Sequence, residues 1–255
     1  MGAIPLPHEP EIEYPESDGK PMAESDVHLD VIMHLVQALR DRYAADPQVY
    51  VAGNLLLYLE KGTRKSVAPD VFVVQGVPKR KRGKYLLWEE GEAPCFVLEA
   101  TSKSTKDEDL TDKKARYAQL GVEEYFLFDP EGEYLRPRFQ GLRLRGGEYA
   151  PIPVSVDGSL TSRTLGVVFV PDGVSLRMRD VATGAPLLGY ADWKARAEAA
   201  EHEAEAAKEE AKTAKRRAKA AKQEAETAKR RAEAAEAQVR ALTEELERLR
   251  GLAKA

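Results

Sequence analysis

Along the last quarter of the chain, apolar residues recur in steps that alternate three and four. They run from Tyr190 and Trp193 through an alanine at every seam position from Ala197 to Ala235, and on to Val239, Leu242, Leu246 and Leu249. A seam held over about eight heptads predicts a left-handed coiled coil. Thr213-Ala214-Lys215-Arg216-Arg217-Ala218 recurs as Thr227-Ala228-Lys229-Arg230-Arg231-Ala232, an offset of two heptads. No Pro or Gly interrupts residues 190–250, and Gly251 marks a stop. At about 1.5 Å per residue the helix would be roughly 90 Å long. Alanine layers bury little area, so the bulky layers at the two ends should anchor a homo-oligomer through residues 190–250. Two readings compete with this one. One is a single solvated helix held by charge pairs, and the other is a basic tail on nucleic acid.

Residues 1–189 carry a different pattern. After a Pro/Glu-rich lead-in, residues 24–43 place Val27, Val31, Leu35 and Leu39 on one face at four-residue steps, which predicts an amphipathic helix. Residues 49–51 and 55–59 read as short strands. The β-branched and aromatic run 71–74, after Pro69-Asp70, fits a central strand. Residues 95–100 (CFVLEA) form another buried strand, 106–120 a second helix closed by Gly121, and 125–128 a strand ended by Asp129-Pro130. Later runs around Leu142, Tyr149 and 167–170 suggest hairpins. This alternation predicts an α/β (α+β) fold, a central sheet with flanking helices, over residues 1–189, followed by a long helix over 190–255.

Composition sharpens the division. Of the 255 residues, 39 are Lys or Arg and 43 Asp or Glu, a net charge of −4. The segment 190–255 holds 16 basic and 14 acidic residues, which leaves 23 basic and 29 acidic in 1–189. An acidic body argues against broad phosphate-driven binding, though it leaves room for an acidic metal pocket with local basic loops. Lys79-Arg80-Lys81-Arg82-Gly83-Lys84 is one such loop, or else a solvated turn. One cysteine excludes an internal disulfide and a multi-cysteine zinc cluster. No apolar run reaches the length of a membrane span, and the first 25 residues lack the apolar stretch of a secretory signal, so a cytoplasmic location is expected.

The candidate chemistry lies in two acids. Asp70 opens the strand APDVFVV and Glu99 interrupts CFVLEATS. A carboxylate in an apolar strand is costly to bury unless it is paired or bound to metal. If the two strands lie side by side, Asp70 and Glu99 meet at one end of the sheet. Two hard oxygen ligands with room for water suit Mg²⁺ or Mn²⁺. Such an ion offsets charge on a phosphodiester and lowers the pKa of an attacking water. A structural ion pair is the other reading. Asp109, Lys113 and Tyr117, spaced by four, would share a helix face, where Asp109–Lys113 is equally a helix salt bridge. Cys95 reads as a small core residue. The four histidines have no zinc-ligand company, and no Gly-rich phosphate loop appears.

Several motifs together resemble the Uma family of restriction-endonuclease-like proteins, of the PD-(D/E)xK nuclease class. The matching residues are Pro69-Asp70-Val71, Glu99 with Thr101-Ser102-Lys103-Ser104-Thr105, Asp109-Leu110 with Lys113 and Tyr117, Gly121-Val122-Glu123-Glu124-Tyr125 and Asp129-Pro130. Asp18-Gly19-Lys20-Pro21-Met22, the helix carrying His28 and Gly53-Asn54-Leu55 extend the likeness over about residues 14–189. The resemblance implies a restriction-endonuclease-like mixed sheet and metal-dependent cleavage of phosphodiester bonds, with DNA as the expected nucleic-acid partner. It implies Asp70 and Glu99 as ligands of Mg (or Mn), with the carbonyl of Ala100 completing the sphere. The class often has Glu-x-Lys, but position 101 here is Thr, which is usual for the family and reads as a migrated lysine. Lys113 is the candidate, with Lys103 the other possibility. Glu24, Thr101 and Lys103 are rim candidates. Glu24 is equally a solvated helix-start acid, and the run from Thr101 to Thr105 equally a loop capping the next helix. The alternative function is a catalytically inactive nuclease fold that works in assembly through its coiled coil.

Overall fold

A computed structural model describes residues 12–17, 19 and 25–252, with 191 and 245–252 described as backbone only. The elements in chain order are α1 (Asp26–Arg42), β1 (Val49–Ala52), β2 (Leu57–Tyr58), β3 (Ser66–Val67), β4 (Val71–Gln75), β5 (Tyr85–Leu86), α2 (Leu87–Glu90), β6 (Phe96–Ala100), α3 (Lys106–Leu110), α4 (Asp112–Gln119), β7 (Glu124–Phe128), β8 (Phe139–Arg145), β9 (Glu148–Pro151), β10 (Leu160–Ser162), β11 (Val167–Asp172), β12 (Ser175–Asp180), β13 (Pro186–Leu187) and α5 (Tyr190–Leu252). Two compact units result, Met1–Lys194 and Ala195–Ala255.

The first unit is mixed α/β around a six-stranded sheet of order β1-β4-β6-β7-β8-β9. Only β6 and β7 run parallel in it, and their connection carries α3 and α4. The central strands β4, β6 and β7 are nearly continuous apolar runs, broken inside the sheet by Glu99 and Glu124, because both faces are covered. Alternate residues then serve two cores. Val71, Val73, Phe96, Leu98, Phe126 and Phe128 pack with α1 and with the four-stranded sheet β10–β13, through Phe169 and Met178. Phe72, Val74, Val97, Tyr125 and Leu127 face the other way, toward Tyr117 of α4 and the small sheet β3-β2-β5. The Phe96 and Phe169 rings stack at 5.6 Å across the first core.

A buried polar tie joins two strands to the segment after β10. Glu124 accepts from Arg143 Nε and Nη2 at 3.0 and 2.6 Å, from the Arg163 amide at 3.1 Å and from the Ser162 hydroxyl. A buried carboxylate survives here because charged and neutral donors replace its lost water.

One expectation needs correction. Residues 106–120 form two short helices instead of one. The chain leaves helical geometry at Thr111 (φ −122°, ψ −83°). The reason is local. The Tyr125 hydroxyl donates to the carbonyl oxygen of Asp109 at 2.9 Å, and the Thr111 hydroxyl donates to that of Asp107 at 2.5 Å. Side-chain donors thus occupy two carbonyls that a continuous helix would use.

The second unit is helix from Ala195 to Leu252. Its seam is exposed in the single chain, with Val239 and Leu242 at 64% and 62%. At the start of α5, Asp192 accepts from the Gly189 amide at 2.9 Å and pairs with Arg177 at 2.8 Å, while Trp193 Nε1 donates to Asp41 at 2.8 Å. Among the described residues, no helix is long and apolar enough to cross a membrane.

Candidate active site

Strand pairing brings the two acids together. β4 and β6 run antiparallel with Val71 opposite Leu98, so Asp70 lies across from Glu99 one step beyond the ladder. The carboxylates brace that end. The Ala100 amide donates to Asp70 Oδ2 at 2.8 Å, and the Asp70 amide points at Glu99 Oε2 at 3.4 Å. Gly53 allows the close approach on the other side. A Cβ there would stand 2.5 Å from the Asp70 carbonyl oxygen, and the next residue, Asn54, takes φ +51° while its amide donates to the Pro69 carbonyl at 2.9 Å.

The α3–α4 break supplies the rest. Glu99 Oε1 accepts from the Tyr117 hydroxyl at 2.6 Å. Lys113 Nζ lies 3.1 Å from Glu99 Oε2 and 2.9 Å from Asp109 Oδ1. Glu99 and Asp109 are buried, and Lys113 is nearly so. On the opposite side of Asp70, His28 Nε2 sits 3.1 Å from Oδ2. His28 is placed by the first turn of α1, where its own amide donates to the Ser25 hydroxyl at 3.2 Å.

Asp70, Glu99 and Asp109 thus crowd one ammonium. Burial pushes the Glu99 carboxyl well above its usual range, and the pull of Lys113 only partly offsets it, with Asp70 and Asp109 adding to the rise. Asp109 is raised for the same first reason. Burial works against the charge of Lys113, but the three carboxylates outweigh it and hold the ammonium above its ordinary value. The two partners of the Lys113–Glu99 pair both move upward. A simple exposed pair would lower the acid; here burial, first of all, and then the neighbouring carboxylates outweigh the pull of Lys113 on Glu99. Tyr117 is raised by burial and by Glu99, and so stays a donor.

The sequence-predicted residues fall as follows. Asp70, Glu99 and Lys113 meet, and Ala100 follows Glu99 with its amide held by Asp70. Thr101 is buried; its amide donates to the Phe128 carbonyl at 2.7 Å, and its hydroxyl has no hydrogen-bond partner among the described residues. Ser102 and Thr105 bond to each other in the loop that turns into α3. Lys103 lines a cavity of about 200 Å³ with Ser25, His28, Thr101 and Tyr134, which opens beside the His28–Asp70 pair. Glu24 lies outside the described residues. The sequence reading named the helix carrying His28 but gave that residue no role at the site, since no spacing rule couples a lone histidine to an aspartate 42 residues away.

Among the described residues, no three His, Cys, Asp or Glu side chains are arranged to hold a metal ion by themselves. Asp70, just before β4, and Glu99, in β6, offer a smaller all-oxygen donor set that backbone oxygen and water would complete. The excess of buried carboxylate over ammonium is the charge that a divalent cation would offset. That donor chemistry fits Mg²⁺ or Mn²⁺ and not a thiolate-preferring ion.

A family model described as Uma2, putative restriction endonuclease, matches residues 3–178. Among solved structures, a putative nuclease belonging to DUF820 from Anabaena variabilis matches with 16% identity, 59% of this chain and 81% of that chain covered, and a TM-score of 0.43. A search of curated proteins found no match.

Proposed function

Because the chain belongs to the Uma2 family of putative restriction endonucleases, we propose that it is a divalent-metal-dependent endonuclease that hydrolyses DNA phosphodiester bonds at the Asp70–Glu99–Lys113 cluster. The observation that carries this reading is the convergence of Glu99, Asp109 and Lys113 within 3.1 Å contacts, with Asp70 braced across the strand ends. Asp70, Glu99 and the Ala100 carbonyl would hold Mg²⁺ or Mn²⁺. A bound ion supplies a more acidic water and a countercharge for the phosphate. Lys113 orients the nucleophile and faces the charge that develops on the phosphoryl oxygens. Asp109 and Tyr117 hold Lys113 and Glu99 in place, and His28 fixes the carboxylate of Asp70, as outer partners do at metal sites. Thr101 and Lys103, which line the adjoining cavity, are assigned to the rim, where the substrate enters. Thr101 would give its unpartnered hydroxyl to a phosphate oxygen.

In this reading residues 1–189 form the catalytic domain and 190–255 a homo-oligomerising rod. The rod assignment is supported by a 63-residue helix whose apolar seam stands exposed in the single chain. The same seam would serve a catalytically inactive relative that works in assembly alone. A cleavage assay across DNA and RNA substrates with Mn²⁺ separates the two. Active protein should cut DNA and Glu99→Ala should not; equal products from both, or none from wild type, refute the nuclease assignment.

A further inference from the structure

The basic run noted in the sequence takes no part in the cluster at Asp70. Together with Arg40, residues Lys79, Arg80, Lys81 and Arg82 line a groove of about 660 Å³ along β1, an edge strand of the main sheet. Tyr43 and Tyr50 line it as well. Its cations differ in how far they are committed. Arg82 is buried, lies 4.2 Å from the Tyr50 ring centroid and grips Glu90 at 2.7 and 2.8 Å. Lys79 caps the carbonyls of Tyr43 and Ala44 at the end of α1. Arg40 uses Nε on the Val51 carbonyl at 3.1 Å. Arg80 shares Glu90 at 2.7 Å but is 60% exposed, and Lys81 has no ion pair or hydrogen bond among the described residues. Among the described residues five cations and no carboxylate line the groove, with Glu90 pairing two of them from outside it, a local reversal of the acidic body.

Two elements measure how far this groove lies from the candidate site. Val49 pairs with Gln75, so the groove end of β4 is five residues from Asp70, about 17 Å at strand rise. Helix α1 carries His28 beside Asp70 and Arg40 in the groove, twelve residues apart, about 18 Å at helix rise.

We propose that this groove binds the phosphate backbone of the nucleic acid some distance from the cut, a placement that rests on the nuclease reading above. One strand of B-form DNA carries a charge every 3.4 Å of axis, so the groove meets phosphates about five nucleotides from the scissile bond. Arg80, Lys81 and the outer nitrogens of Arg40 make the contacts. The tyrosines offer faces for a sugar or an unstacked base.

The test measures binding of the full chain to a fluorescein-labelled 20-base-pair duplex by anisotropy, in EDTA, between 50 and 200 mM salt. Arg80→Gln with Lys81→Gln should lower the slope of log affinity against log salt by about 2, and Lys81→Gln alone by about 1. Both residues are exposed, so the melting temperature should stay at the wild-type value. An unchanged slope and an affinity within twofold of wild type overturn the inference, as does a wild type that does not bind the duplex. Tighter binding of a polyglutamate peptide would assign the groove to an acidic protein, and also overturns it. Cleavage of the same duplex by wild type in Mn²⁺ judges the nuclease reading separately. Cleavage by wild type together with an unchanged salt slope in the variants removes only the groove, whereas groove-dependent binding without cleavage removes only the catalysis.

Discussion

Replacing Lys113 with Met tests the electrostatic account of the cluster. Met fills nearly the same space, so the change removes a charge while leaving the packing close to intact. It leaves Glu99, which is wholly buried, and Asp109, at 1% exposure, without the ammonium that lies 3.1 and 2.9 Å from them. Taking one partner from a buried ion pair costs about 3–5 kcal/mol. Burial already raises both carboxyls, so they can relieve part of this by taking up a proton, and the lower end of the range applies. At about 2–4 °C per kcal/mol for a domain of this size, 3 kcal/mol lowers the melting temperature by roughly 6–12 °C. Scanning calorimetry of the full chain measures it directly. A divalent cation replaces the missing charge, so millimolar Mn²⁺ should raise the melting temperature of the variant by more than that of wild type; saturation at a hundred times Kd is worth about 2.7 kcal/mol. A variant that melts within about 1 °C of wild type, with no larger response to Mn²⁺, would refute the claim that Lys113 is the countercharge of this cluster.

Four further outcomes follow from the same structure. Gly53→Ala drives a Cβ to 2.5 Å from the Asp70 carbonyl oxygen and 2.9 Å from a Val36 methyl; overpacking of this kind costs about 1–3 kcal/mol, and thermal melting should show the loss together with reduced Mn²⁺-dependent cleavage. Glu124→Ala strands Arg143 and frees the Ser162 hydroxyl, so urea denaturation should give a stability lower by about 3 kcal/mol or more. Burial pushes the Cys95 thiol up to about 12, against roughly 8.5 for a free thiol; the reactive thiolate is therefore scarce below pH 12 in the folded chain, and modification by a thiol reagent at pH 8 should wait for denaturant, a fast native reaction being the contrary result. Val239→Glu with Leu242→Glu places charges in the exposed seam; sedimentation should show a smaller species than wild type, and identical monomers for both would end the coiled-coil proposal.

Much of the architecture was legible because its causes are local or periodic. The runs VFVV, FVLEA and YFLF announce strands covered on both faces, and β4, β6 and β7 are the strands they form. The helix near residue 30 announced itself by its apolar face, and it spans Asp26–Arg42. The two acids stood out because a carboxylate inside an apolar run demands a partner. The helix break at Thr111 could not be read, because Asp109 loses its carbonyl to a tyrosine 16 residues on, a contact that only the folded chain makes. The short strands β3, β5 and β13 were also missed. Two residues each carry no periodicity, and pairing alone defines them.

The sequence by itself determined a mixed body and a helical tail, since alternating apolar runs and an unbroken heptad seam depend only on the intrinsic periods of strand and helix. It also determined which groups carry charge in apolar surroundings. Tertiary structure decided which of them meet. Antiparallel register set Asp70 across from Glu99, the break between α3 and α4 aimed Lys113 at Glu99 and Asp109, and the first turn of α1 set His28 against Asp70. Contacts between residues 14 to 42 positions apart are fixed by the packing of whole elements, and electrostatic energy falls with distance in three dimensions, so the chemistry of the cluster exists only once the sheet and helices close around it.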